Sequence, residues 1–169
     1  MISIGILSCA NNKTEKVSTI KIKDEKAQKI SKMMESYVNN NFDSSIISED
    51  AKIKFNQLEM TKTDFENLVT THHAMFNEIS FPEGWMETVN YTGADVKNAG
   101  GKYADDYGST WTSHWSDWTA VSKISGDTIS NHCFFGYKWE NDKIVEVSAI
   151  FPDEAFNKEL AMFMEANKK

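Results

Sequence analysis

The second half of the chain constrains the fold most, because three strand-like segments follow one another with only short turns between them. Thr110–Ile124, Thr128–Trp139 and Lys143–Phe151 are rich in aromatic and β-branched residues, as strands are. Ser125-Gly126-Asp127 and Glu140-Asn141-Asp142 separate them, and such residues favour turns. Strands joined by short turns pair antiparallel, so the sequence predicts an antiparallel meander.

Three other segments have the spacing of apolar residues that is typical of amphipathic helices. They lie at 24–40, 63–79 and 155–166, and Asp24 and Thr63 are the predicted N-caps of the first two. Between them the pattern predicts strands at 51–55 and 85–92 and one turn of helix at 42–48. Helices combined with an antiparallel meander predict an α+β fold in which a curved sheet packs on helices.

The composition limits both the number of domains and the partners. A chain of 169 residues with 40% hydrophobic and 12% aromatic residues is long enough for one folded domain and too short for two ordinary ones. All 18 basic residues are lysine, and the net charge is −7. Without arginine the chain has no bidentate guanidinium clamp for phosphate or carboxylate. Its acidic character also argues against a nucleic-acid partner.

The first residues differ from the rest in charge and hydrophobicity. Met1–Ala10 is apolar and ends in Ile6-Leu7-Ser8-Cys9, which resembles a bacterial lipobox, where the cysteine carries lipid. The eight residues before Cys9 are too few for a membrane span. Residues 13–32 hold seven lysines and three acidic residues, which is a local charge of +4, and such a run is typical of a solvated tether.

These features predict two parts of the chain. Residues 1–23 are interpreted as a remnant lipoprotein signal with a basic tether, and residues 24–169 as a single domain. We therefore predict a protein of the bacterial cell envelope that is anchored by lipid on Cys9 and faces the periplasm, with no other contact to the membrane. The alternative is a cytoplasmic protein with a frayed N-terminus.

The register of the meander predicts which side chains share a face. A two-residue turn at Ser125-Gly126 pairs Trp118 with Cys133, and side chains that face each other across a strand pair lie on one side of the sheet. Pairing Trp139 with Lys143 extends that face onto the last strand. The predicted face holds mostly aromatic and apolar side chains: His114, Ser116, Trp118, Cys133, Phe135, Tyr137, Trp139, Val145, Val147 and Phe151. Both a small-molecule pocket and an ordinary core have this composition.

The last two strands carry a resemblance to a known family. An aromatic-rich segment (Phe135–Trp139) is followed by a short turn, and an alternating strand then runs from Lys143-Ile144-Val145 to Phe151. This order resembles the end of the nuclear transport factor 2-like superfamily, which includes SnoaL-like cyclases and ketosteroid isomerases. The segments at 36–53 resemble the family's opening. The segment at 64–79 resembles flavobacterial members, and we interpret the chain as a lipoprotein-type member of that group.

The resemblance implies a cone-shaped α+β fold with a pocket inside the cone, and often a dimer through the outer face of the sheet. It implies no definite chemistry, because the family's catalytic residues are mostly missing. Tyr37 matches the tyrosine of the isomerases, but their general base falls in Ile53–Asn56, which has no acid, and their second acid falls at Phe135. The epoxide hydrolases of this fold use an arginine, which this chain lacks.

Candidate site residues come from both the pattern and the resemblance. The predicted ligand pocket joins three residues from other elements to eight of the sheet face: Tyr37, Phe55, His72, His114, Ser116, Trp118, Cys133, Phe135, Tyr137, Trp139 and Val147. The acid–base candidates are His114, His72 and Tyr37. A structural role is the simpler expectation for His72, and Cys133 is expected to be an inert core thiol. Adjacent helical histidines diverge by about 100°, so His72 and His73 do not form a metal pair. We expect neither metal nor cofactor.

Two tryptophans predict an interface. Trp111 and Trp115 share the face opposite to that of Trp118, and exposed aromatic patches usually mark interfaces. We therefore expect a homodimer through the outer face of the sheet.

We predict a domain that binds a small apolar or aromatic ligand without assignable chemistry. One alternative is a lyase, isomerase or cyclase that uses a pocket histidine and tyrosine as acid and base. The other is a structural dimer module with a filled cone.

Overall fold

The predicted meander lies at the centre of one mixed sheet. The computed structural model describes residues 18–82, 84–101 and 105–168. Cys9 lies outside these residues, so the lipid anchor stays a prediction. The elements follow in this order: β1 (Thr19–Ile22), α1 (Glu25–Val38), β2 (Ile47–Phe55), β3 (Leu58–Met60), α2 (Lys62–Met75), β4 (Phe76–Ser80), β5 (Gly84–Asn90), α3 (Ala94–Ala99), β6 (Thr110–Ser122), β7 (Thr128–Glu140), β8 (Lys143–Ile150) and α4 (Glu154–Ala166).

Eight strands of the described chain form the sheet, in the order β1-β5-β6-β7-β8-β2-β3, with β4 also paired to β6. Strands β2 and β8 run parallel, while the other pairs are antiparallel. The sheet is curved and does not close on itself, and the helices pack on it, which confirms the predicted cone-shaped α+β fold. Residues 19–22, which the sequence interpretation placed in the tether, pair with β5 as an edge strand.

Helix starts follow the local capping chemistry. Asp24 caps α1 as predicted, since its Oδ1 accepts a hydrogen bond from the amide of Ala27 at 3.0 Å. The predicted cap Thr63 is wrong. Thr61 and Asp64 form a reciprocal capping box instead, so α2 starts at Lys62.

Tertiary pairing overrides two local patterns. Phe76 and Ile79 continue the apolar spacing of α2 but lie in β4, because β4 pairs with β6. The predicted turn of helix at 42–48 is also wrong, since Ile47 already begins β2. The amide of Ile144 donates to the carbonyl of Ile46 at 2.8 Å and ties this segment to β8.

The β6–β7 register differs from the prediction by two residues. Trp118 pairs with Asn131 instead of Cys133, and His114 pairs with Phe135. The cause is a longer turn, in which the amide of Ser122 donates to the carbonyl of Asp127 at 2.9 Å. A shift of two keeps the alternation of side chains, so the predicted faces are retained.

A bulge corrects the prediction for β8. The register of β7 against β8 shifts between Lys138 and Trp139, and Trp139 faces Ile144 instead of Lys143. Ile144 is therefore buried, whereas Val145, which the sequence placed on the inner face, is only half-buried. Beyond the bulge, Val147 faces Tyr137 in the core as the alternation predicts.

A buried chain of hydrogen bonds ties α1 to the sheet. The indole N–H of Trp139 donates to Thr112 at 3.0 Å, and the hydroxyls of Thr112 and Thr88 lie 2.9 Å apart. The Thr88 hydroxyl donates to the Asp24 carboxylate at 2.8 Å, so it accepts from Thr112. The hydrogen bonds therefore all run in one direction, from Trp139 to the carboxylate of Asp24, which also caps α1.

Helix α4 is held by a buried carboxylate. Glu159 accepts hydrogen bonds from the hydroxyls of Ser122 and Ser125 in the β6–β7 turn. This contact places Phe156 and Leu160 against the concave face of the sheet. Helix α4 therefore forms one wall of the space inside the cone.

The buried hydroxyl chain makes a stability prediction. Thr112→Val should lower the free energy of unfolding by about 1–3 kcal/mol, because it leaves the Trp139 N–H without an acceptor. Urea denaturation measures the loss. Thr128→Val is the matched control, since Thr128 is exposed at the start of β7. Equal stability of the two variants would contradict a structural role for the chain.

Candidate ligand-binding site

A cavity of about 260 Å³ lies between the concave face of the sheet and helices α1, α2 and α4. Its wall is almost entirely apolar and aromatic. Six of the sequence-predicted pocket residues line it: Tyr37, Phe55, His72, Trp118, Cys133 and Phe135. The structure therefore brings the helical and strand candidates together in one space.

The remaining predicted pocket residues lie elsewhere. Tyr137, Trp139 and Val147 are buried in the core beneath α1 and do not line the cavity. His114 and Ser116 line a separate groove of about 660 Å³ between α1 and the β5–β6 edge.

Phe81 separates His114 from the main cavity. Its ring centroid lies 6.0 Å from that of Tyr37 and 5.8 Å from that of His114. His114 also stacks on Phe135, with 5.9 Å between the rings. The expectation that His114 faces the same space as Tyr37 is therefore wrong, although both lie on the inner side of the sheet.

Two helices supply cavity residues through regular spacing. Phe65, Leu68, Val69 and His72 fall at i, i+3, i+4 and i+7 along α2 and all line the cavity. The sequence predicts this helix, but of the four residues only His72 is among the predicted pocket residues. Phe156 and Leu160 of α4, at i and i+4, were missed although their spacing marks one face.

Asn131 is a polar residue of the cavity that sequence reasoning missed. It is only 7% exposed, faces Trp118 across β6–β7, and lines the cavity. The alternation that placed Cys133 and Phe135 inward also places Asn131 inward. With the observed register it would have been assigned as the partner of Trp118.

A chain of three polar groups crosses one wall of the cavity. The indole N–H of Trp118 donates to the Tyr37 hydroxyl oxygen at 2.8 Å. That oxygen lies 2.9 Å from Nδ1 of His72. Because an indole nitrogen only donates, the Tyr37 oxygen is the acceptor of that bond. Among the described residues Nδ1 of His72 is the one acceptor for the Tyr37 proton, and a buried hydroxyl proton without an acceptor is costly, so we direct this proton to His72. The neutral His72 ring then carries its proton on Nε2.

Burial keeps the two titratable members of this chain, His72 and Tyr37, neutral. It lowers the pKa of His72 to about 4, with a smaller contribution from neighbouring His73. It raises the pKa of the Tyr37 hydroxyl well above its ordinary value. Such a histidine is a weak base at neutral pH. The single proton of the Tyr37 hydroxyl is held by its raised pKa and by the hydrogen bond to His72. The geometry therefore does not favour the predicted acid–base pair.

Cys133 has the environment of a structural thiol. Its Sγ donates to the carbonyl of Ser116 at 3.1 Å, and burial raises the pKa of the thiol to about 11. The thiolate, which is the nucleophilic form, is therefore scarce at neutral pH. This agrees with the expectation of an inert core cysteine.

Polar side chains surround the mouth of the cavity. Asn56 is fixed there, because its amide donates to the carbonyl of Phe151 at 3.0 Å and accepts from the Phe151 amide at 3.1 Å. Asp153 and Asn157 also line the opening.

Within the described ranges, no three His, Cys, Asp or Glu side chains cluster as metal ligands. No helix in that part of the chain is both long enough and apolar enough to span a membrane.

Solved structures with low sequence identity share this fold. A proposed hydroxylase from Streptomyces galilaeus has a TM-score of 0.57 at 11% identity, over 81% of this chain and 96% of that one. A proposed polyketide cyclase from Xanthomonas campestris has 0.56 at 10% identity, with the same coverage. A nuclear transport factor 2-like protein of unknown function from Burkholderia pseudomallei has 0.54 at 9% identity, over 80% and 96%. No protein-family model and no curated protein sequence matches the chain. These likenesses establish the nuclear transport factor 2-like fold.

The two buried neutral histidines predict a pH-dependent stability. His72 and His114 both have a pKa of about 4 in the folded protein, against 6.5 without burial. Between these values the unfolded chain binds protons that the folded chain does not, so the free energy of unfolding decreases as the pH falls. Each histidine contributes about 1.4 kcal/mol per pH unit at most.

Urea denaturation at several values between about pH 5 and pH 7 measures this slope. His72→Phe should remove the share of one histidine, and carboxylates that titrate in both proteins cancel in the comparison. An unchanged slope would show that folding does not lower the pKa of His72.

Proposed function

We propose that this domain binds a small, largely apolar ligand in the cavity beneath α2 and α4. The observation that carries the proposal is the cavity itself, whose apolar wall holds a few fixed polar groups. That combination is typical of small-molecule sites. The fold shared with proposed polyketide cyclases is consistent with it.

The cavity also bears on the two alternatives. Trp118 and Phe135 line the cavity without filling it. A structural module with a filled cone would leave no such space. An acid–base enzyme would need a group that is partly ionised near neutral pH, and burial keeps His72 and Tyr37 neutral. Ligand binding is therefore the better-supported function.

The proposal includes the lipoprotein-type subclass suggested by the sequence. Lipid on Cys9 would hold the domain at the envelope, facing the periplasm. The apolar residues before Cys9, and the likeness of Ile6-Leu7-Ser8-Cys9 to a lipobox, support this location.

A neutral fluorescent probe tests ligand binding. N-phenylnaphthylamine should bind saturably, with one molecule per chain. Leu68→Trp fills the cavity from α2 and should weaken binding at least about tenfold, which corresponds to roughly 1.4 kcal/mol. Ile124→Trp is the control, since Ile124 lies exposed in the β6–β7 turn. Thermal unfolding checks that both variants fold. No saturable binding by the unmodified protein, or equal weakening by both variants, would refute the proposal.

We also propose a homodimer through the outer face of the sheet. Trp85, Trp115, Phe134 and Ile150 face one another across four neighbouring strands and form a continuous row, here called the outer row. Trp85 is 51% exposed, Trp115 45% and Ile150 65%. Exposed apolar patches of this kind mark interfaces.

The outer row differs from the predicted pair of tryptophans. Trp111 is half-buried, because the Lys138 ammonium lies 5.6 Å from its ring centroid and its N–H donates to Asp106. Trp115 instead stacks with His132, which pairs with Asp117. The exposed indole of Trp115 is therefore the tryptophan of β6 that the outer row contains.

A charge placed in the outer row tests the dimer. Trp115→Lys should convert the protein to a monomer in sedimentation velocity, because a lysine would be buried without a partner. Ile124→Lys is the control, since Ile124 is 44% exposed in the β6–β7 turn, away from the outer face of the sheet. A monomeric unmodified protein, or dissociation of both variants, would contradict this interface.

A further inference from the structure

We propose that the cavity selects neutral ligands that carry a hydrogen-bond acceptor of the carbonyl type, and that the Nε2–H of His72 binds this acceptor. This inference rests on the proposed function and adds the chemistry of the ligand. It follows from three features: the direction of the hydrogen bonds, the accessible surface of His72 Nε2, and the charges around the cavity.

The first step is the fixed tautomer of His72. The Tyr37 oxygen accepts from Trp118, and among the described residues its own proton has only Nδ1 of His72 as an acceptor. Nδ1 is thus unprotonated, and Nε2 carries the hydrogen of the neutral ring. The wall presents a donor there and no acceptor.

The second step is that this donor is available to a ligand. The described residues supply no hydrogen-bond partner for Nε2 of His72. Among the described residues, two polar side-chain atoms are both unpaired and fully buried: Nδ1 of His114 and the hydroxyl of Tyr137. Nε2 of His72 is not one of them, so this unpaired atom keeps accessible surface. Because His72 lines the cavity between Tyr37 and Phe156, its accessible surface faces that space.

The third step concerns charge. The cavity wall within the described residues contains no lysine, and Asp153 at the mouth is its one charged side chain. An anion would therefore enter an apolar space without a counter-charge, which is costly. A neutral carbonyl accepts the Nε2 hydrogen at a much smaller cost of desolvation.

Asn131 does not provide the same selection. Its amide has both donors and an acceptor, and it lies on the strand wall of the cavity. It can accommodate either kind of polar group, whereas His72 is restricted to donating by Tyr37 and Trp118. The preference for an acceptor therefore comes from His72.

Two isosteric probes test the inference directly. Methyl naphthyl ketone carries a carbonyl where isopropenylnaphthalene carries a CH₂ group. In nitrogen-15 spectra of histidine-labelled protein at neutral pH, His72 should show a protonated Nε2 and an unprotonated Nδ1. The ketone should shift the Nε2–H signal, and the hydrocarbon should leave it nearly unchanged.

Affinities supply the second measurement. The ratio of ketone to hydrocarbon affinity should fall about fivefold to tenfold in His72→Phe, the usual worth of one hydrogen bond. The double variant Tyr37→Phe, His72→Phe should show the same fall without a released tyrosine hydroxyl. His73→Phe is the matched control, because its Nε2 bonds to the backbone of Tyr37 and His73 does not line the cavity.

The outcomes separate this inference from the proposed function. If both probes bind but Nδ1 carries the proton, or if the ratio is the same in all variants, the cavity binds ligands and the role of His72 is refuted. If neither probe binds, the proposed function itself fails. Binding of naphthoate as tight as that of the ketone would overturn the selection for neutral ligands.

Discussion

The alternation of side chains along β6 is the constraint on which both faces of the protein depend. Thr112 and Trp118 point inward, where one carries the hydrogen bonds to α1 and the other begins the polar chain of the cavity. Trp115 points outward and belongs to the outer row. Because the period of a strand is two residues, a slip of one residue would exchange the cavity wall with the outer surface. The long pairing with β7 therefore sets the cavity wall and the outer row together.

Polar groups inside this apolar cone acquire their roles from their neighbours. An isolated tyrosine and histidine in a cavity suggest acid–base chemistry, and the sequence alone supports that alternative. The indole of Trp118 donates to the Tyr37 oxygen, and the Tyr37 proton is directed to Nδ1 of His72. The hydroxyl is therefore engaged on both sides. Burial then keeps His72 neutral. The result is a rigid donor, which suits recognition of a ligand better than proton transfer.

Much of the fold was predictable from local patterns, while much of the site was not. The stripe of α1 and its Asp24 cap, the meander and the C-terminal helix are encoded over short distances, by periodicity and turn residues. Strand β4 was not predictable, because Phe76 and Ile79 continue a helical spacing and only pairing with β6 overrides it. Trp118, Cys133 and Phe135 line the cavity as predicted, since the alternation of side chains survived a two-residue error in register. His114 does not, because the Phe81 ring that separates it from the cavity comes from a distant segment.

The sequence by itself determined the α+β class, the inward and outward faces of the meander, and the absence of an arginine clamp. Each of these depends on residue identity or on a period of two or 3.6 residues. The tertiary structure alone decided which groups meet: Tyr37 of α1, His72 of α2 and Trp118 of β6 come from three distant segments. Their direction of hydrogen bonding, and the separation of His114, follow from distances between side chains that no local pattern contains. Hydrogen-bond geometry is set by packing, and packing is a property of the whole fold.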